Sequence, residues 1–71
     1  MVIENRIMEL RKPLKVTQAE LADAVGVTRQ TIVSLEAGRY IASLPLAYKI
    51  AKFFDKTIEE IFIIKEGEKN Y

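Results

Sequence analysis

Residues 21–40, LADAVGVTRQTIVSLEAGRY, decide the fold. Leu21, Ala22 and Val25 recur at helical spacing and stop at Gly26, a residue suited to the left-handed position just past a helix end. Two residues later Thr28 is a good N-cap, and the spacing carries the next helix to about Ala37 before Gly38 ends it. Two short helices therefore meet with barely a turn between them. On a wheel of about 100° per residue, Ile32 and Leu35 of the later helix fall together. Arg29, Gln30, Val33 and Ser34 spread over its other side, with Arg29 and Gln30 in the first turn.

Working outward, Ile3, Ile7 and Leu10 mark one face of a first helix. Pro13 should end it near Arg11 or Lys12, because a residue before proline avoids helical geometry. Leu14 and Val16 read as core residues of the connection. Thr17 opens the second helix with a capping box, its hydroxyl on the Glu20 amide and the Glu20 carboxylate on the Thr17 amide. Ser43 caps a fourth helix that tolerates Pro45 in its first turn. Leu46, Ile50 and Phe53 or Phe54 give that helix its inward stripe. Thr57 and Glu60 form a second capping box for a short fifth helix through Ile61. Phe62-Ile63-Ile64-Lys65 is aromatic and β-branched, better suited to a strand. The expected fold is all-α: five compactly packed helices with a short C-terminal β-strand.

Composition narrows the chemistry. Seventy-one residues, with 49% apolar and 30% charged side chains, make one globular domain spanning 1–71, with its core in residues 3–62. Without cysteine there is no disulfide or thiolate zinc site, and a reducing cytoplasm suits the chain. No apolar run approaches the roughly 20 residues that span a bilayer, and the N-terminus lacks a signal-peptide layout. Histidine is absent as well, which removes the commonest general base along with the best nucleophile. Glu59-Glu60 and Glu66 with Glu68 are paired carboxylates at a helix start and in a polar tail, with no pocket implied around them. An enzyme is excluded, and no metal, cofactor or small-molecule ligand is expected. With a net charge of only +1, any affinity for nucleic acid must come from where the basic residues sit. Lys49, Lys52, Lys56, Lys65 and Lys69 read as soluble surface.

A helix whose first turn projects arginine and glutamine suits the DNA major groove. Arginine can grip the two acceptors of guanine, and glutamine can match the acceptor–donor pair of adenine. Val33, between them, could touch a thymine methyl group. The bland reading of the same face is solvated surface. Gln18-Ala19-Glu20-Leu21-Ala22, Gly26, Val27, Ile32, Leu35, Glu36-Ala37-Gly38-Arg39, Ser43-Leu44-Pro45-Leu46-Ala47 and Ile50-Ala51 resemble the phage repressor and Cro, or XRE-type, helix-turn-helix regulators.

That resemblance spans roughly residues 3–62. It implies a lambda-repressor-like five-helix domain that binds double-stranded DNA, usually as a two-fold dimer. By position it implies base reading by Arg29, Gln30 and Ser34, and sugar-phosphate contacts from Gln18, Thr28, Thr31, Arg39 and Tyr40. The helix wheel adds Val33 to the base-reading set, and Thr17, beside Gln18, joins the backbone set. It also implies a structural ion pair between Arg11 and Glu36. Two departures bear on the first loop: Pro13 lies where the family often continues its helix, and Lys15 stands where a glycine is common.

Residues 62–71 read as a dimerisation strand and tail. Ile58, Ile61, Phe62, Ile63 and Ile64 supply more apolar side chains than the end of a small helical domain needs, so they form the expected homodimer interface. The alternative is that this segment folds back over its own helices. The functional expectation is a transcriptional repressor. Its rival is an antitoxin or restriction-modification controller whose main partner is another protein.

Overall fold

The computed structural model describes residues 2–66, leaving Met1 and the tail with Glu68 and Lys69 outside the described residues. Strand β1 (Val2–Asn5) precedes α1 (Ile7–Arg11), α2 (Gln18–Val25), α3 (Arg29–Glu36), α4 (Leu44–Phe54) and α5 (Ile58–Ile61), and strand β2 (Phe62–Lys65) follows. The two strands form an antiparallel ribbon in which Ile3 faces Ile64 and Asn5 faces Phe62.

The five helices and the C-terminal strand are as expected; the correction is β1, which takes the place of the first turn expected of the first helix. Ile3, Ile7 and Leu10 match helical spacing only because the strand and the helix each direct a residue inward. Helix α1 begins after Asn5, whose side-chain oxygen accepts the Ile7 amide at 3.2 Å while its amide group donates to the Leu35 carbonyl at 2.9 Å. Asn5 thus starts one helix and holds the end of another. Leu14 is exposed rather than part of the core, whereas Val16 packs against the core.

The helix starts follow local chemistry. Thr17 and Thr57 each complete a reciprocal capping box, with Glu20 and Glu60, and Thr28 and Ser43 accept the amides of Thr31 and Leu46. The stops of α1 to α4 share one device. At Lys15, Gly26, Gly38 and Asp55 the backbone turns left-handed. In each case the following amide reaches back five residues to a carbonyl, for example Val27 to Ala22 at 2.9 Å. Glycine takes this conformation without penalty, whereas an L-residue such as Lys15 (φ 58°) carries a cost of about 1–2 kcal/mol.

The core draws at least one fully enclosed side chain from every helix: Ile7, Leu21, Ile32, Leu35, Ile50 and Ile61. Phe54, not Phe53, completes the inward stripe of α4. Each such burial contributes about 1.5–3 kcal/mol. Because Leu21, Ala22 and Val25 of α2 pack with Ile32 and Leu35 of α3, the outer face of α3 is presented by a rigid support.

Candidate nucleic-acid interface

Three residues outside either helix, Gly26, Val27 and Thr28, connect α2 to α3. Gly26 turns left-handed at φ 78°, and Thr28 is extended at ψ 158°, its side chain accepting the Thr31 amide. The turn fixes the rotation of α3, so Ile32 and Leu35 enter the core and Arg29 and Gln30 project into solvent. Val33 and Ser34 are half-buried at its flanks.

The outward residues divide into two groups. Gln30 donates to the Ser34 hydroxyl at 3.3 Å. Thr28 and Thr31 share a hydroxyl–hydroxyl hydrogen bond of 3.0 Å. Thr28, Gln30, Thr31 and Ser34 line a shallow depression together with Arg39 and Tyr40 from the loop after α3. Arg29 points the other way, toward the start of α2, where its Nη2 donates to Gln18 Oε1 at 3.4 Å. Thr17 uses its hydroxyl oxygen to cap α2, which leaves the hydroxyl hydrogen available to an outside acceptor.

Behind this surface lies a buried ion pair. Arg11 donates twice to Glu36, from Nε at 2.8 Å and Nη2 at 3.0 Å, and once to the Val16 carbonyl at 2.9 Å. The hydrogen bond to the Glu36 carboxylate holds the Arg11 guanidinium more firmly protonated than usual. Among the described residues, no buried side-chain polar atom lacks a partner. The pair ties α1, the following loop and the end of α3 into one unit, and bidentate geometry adds direction to the charge attraction. Spacing alone did not reveal that Gln18 also donates to Glu36, at 3.1 Å.

The C-terminal residues are distributed differently from the interface read in the sequence. Ile61 is 0% exposed and Phe62 only 8%, so both belong to the chain's own core and are corrected from the dimer set. The cause is strand pairing: β1 draws Phe62 inward opposite Asn5. Ile58 and Ile63 are half-buried, and Ile64 alone of the five stays largely exposed, at 60%. Ile58, Phe62 and Ile64 form part of an apolar hollow of about 210 Å³, continued by Ile3, Leu35, Ile41, Leu44 and Ala47. Tyr40 lines both this hollow and the depression beside α3. Among the described residues, no helix is long and apolar enough to cross a membrane.

Two closely joined helices, the second exposing an arginine and a glutamine in its first turn, define a helix-turn-helix unit. The helix-turn-helix family model matches residues 7–61, and the chain belongs to that family of DNA-binding transcriptional regulators. It is 54% identical over 66 residues to an uncharacterized HTH-type transcriptional regulator of Archaeoglobus fulgidus, covering 93% of each chain. It is 47% identical to a protein of the same description from Methanocaldococcus jannaschii, over 93% of this chain and all of that one. Among solved structures it resembles the restriction-modification controller protein C.AhdI from Aeromonas hydrophila, with a TM-score of 0.72 and 31% identity, over 78% of this chain and 83% of that one.

Proposed function

We propose that the protein is a sequence-specific repressor that binds a two-fold operator as a homodimer, with α3 in the major groove. The observation that carries this reading is the first turn of α3. Arg29 and Gln30 are exposed there while Ile32 and Leu35 lock the helix from behind. Arg29, Gln30 and Ser34 read base edges, and Val33 adds an apolar contact at the margin. Gln18 and Thr17, at the start of α2, and Thr28, Thr31, Arg39 and Tyr40 meet the sugar-phosphate backbone. Helix N-termini favour phosphate because free amides and the helix dipole converge there.

One recognition helix reads only a few base pairs. A two-fold dimer places two of them about 34 Å apart, in successive major grooves. The surface that supports the dimer is the apolar hollow together with its rim. A two-fold interface uses the same patch on both copies, so it needs projections and a cavity side by side. Here Ile41 is 64% exposed, Leu44 73% and Ile64 60%, all on the rim of the 210 Å³ hollow. Ile63, on the opposite face of the ribbon, lies outside this patch.

Selection of bound sequences from a random duplex pool tests the reading. It should return a site with two inverted half-sites. Arg29→Ala should weaken that site by about 1–3 kcal/mol relative to unrelated duplex. Arg39→Ala should weaken all sequences alike and flatten the salt dependence by roughly 0.9 of a unit of slope. An unstructured consensus, or equal losses on all duplexes for Arg29→Ala, would count against it. The likeness to C.AhdI supports a second reading, a restriction-modification controller; binding to duplex upstream of a neighbouring methyltransferase or nuclease gene would favour it.

A further inference from the structure

Glu36 sits in the last turn of α3 with its side chain only 3% exposed, yet its hydrogen bonds lead out to the surface that faces DNA. Oε2 accepts from Arg11 Nε, and Oε1 accepts from Arg11 Nη2 and also from Gln18 Nε2 at 3.1 Å. An ionised carboxylate has no hydrogen to give. Gln18 must therefore turn its NH2 toward Glu36 and its carbonyl oxygen away from it. That oxygen meets Arg29 Nη2 at 3.4 Å, and a guanidinium can only donate. Every link in the chain has a single permitted direction.

The donor inventory leaves room for DNA. Gln18 Nε2 keeps a second hydrogen, and Arg29 keeps four further N–H groups. A phosphate and a base edge can be engaged without breaking any internal bond. The outer link is long and exposed, so it is weak alone; its influence comes from the anchored end, where a buried ion pair fixes the Gln18 amide. A free arginine has about 2 kcal/mol of rotamer entropy to lose on binding, and a tether limits that loss.

We propose that Glu36 is a positioning residue for base recognition, holding Arg29 through Gln18 in the direction from which it meets a base pair. This rests on the reading of Arg29 as a base contact. The substitution Gln18→Met keeps side-chain length and removes the amide, and it lies outside the core. Glu36→Gln keeps the shape but lets the two amides pair in either sense.

The quantity to measure is the ratio of Kd values across the four base pairs at the position facing Arg29, in a duplex recovered by selection. Gln18→Met should narrow that ratio at least about twofold, besides weakening all four complexes. It should change the ratio no further once Arg29 is alanine. A folded Glu36→Gln should narrow it in part; if that variant does not fold, Glu36→Asp, which keeps the charge beside Arg11 and shortens the reach to Gln18, takes its place in the comparison. If Arg29→Ala flattens the ratio while Gln18→Met weakens all four duplexes by one common factor, the relay fails and base reading by Arg29 stands. Narrowing by Gln18→Met but none by folded Glu36→Gln would overturn the role of Glu36. A ratio untouched by Arg29→Ala would end both.

Discussion

The α2–α3 unit and the β1–β2 ribbon use their apolar residues in opposite ways. In the helix pair Leu21, Ala22, Val25, Ile32 and Leu35 are all buried, and no large apolar side chain is left fully exposed. In the ribbon, the loop before α4 and the start of α4, Ile64, Ile41 and Leu44 stay exposed around a hollow. The first region is finished within one chain; the second, in the dimer proposed above, is covered by a second copy of itself. The difference separates two tasks, since a reading head must be rigid before it meets DNA, whereas a dimer surface is completed only on assembly.

The largest effect should come from the finished region. Ile32→Ala removes a fully enclosed side chain and should cost about 2–5 kcal/mol of stability. Ile64→Ala, on the rim, should change stability by less than about 0.5 kcal/mol. Denaturant melts of both variants as monomers check this, and equal losses would erase the contrast.

Next in size is assembly. Leu44→Lys places a charge on each side of the two-fold patch, where it would have to be desolvated. Sedimentation should show the dimer shifting to monomer, with helical content unchanged and operator affinity reduced. A Leu44→Lys chain that stays dimeric would move the interface elsewhere.

Smaller again is the turn after α1. Lys15 holds φ 58°, and Lys15→Gly relieves that conformation while adding freedom to the unfolded chain. The net expectation is a gain of roughly 0.5–1 kcal/mol, read as a rise in Tm of about 2–8 °C.

The smallest effect is on pH dependence, and it comes from the capping boxes of α2 and α5. A hydrogen bond from the Thr17 amide holds the Glu20 carboxyl below its ordinary range, and one from Thr57 does the same for Glu60. A lowered folded value means that each box contributes fully above the ordinary carboxylate pKa of about 4.3. The contribution is lost as pH falls through the lower folded value. Acid titration of Tm should show a mild decline there that Glu20→Gln and Glu60→Gln each reduce.

Much of the helix pair was legible because its signals are local. Caps, a glycine stop and apolar spacing all lie within a few residues of what they specify. The ribbon was legible only in its C-terminal half: Phe62–Lys65 reads as a strand, but its partner does not, since Ile3 meets Ile64 across nearly the whole chain. Its spacing to Ile7 and Leu10 imitates a helix, and only the β-branched Val2-Ile3 followed by the capping Asn5 marks it as a strand. The same distance hides from local spacing that Phe62, opposite Asn5, is drawn inward. The candidate site was legible in which residues face outward on α3. It was not legible in how they group, because the contact of Gln18 with Glu36 spans 18 positions with no marker in either residue's neighbours.

The central claim, that the outer face of α3 meets DNA while the ribbon meets a second copy, is tested most directly by amide chemical-shift mapping of the dimer titrated with a duplex recovered by selection. The account predicts shifts concentrated at Thr17-Gln18, at Thr28–Ser34 and at Arg39-Tyr40, with Val2–Glu4 and Ile63–Lys65 little changed. Shifts centred on the β1–β2 ribbon, with Arg29 and Gln30 unmoved, would contradict it.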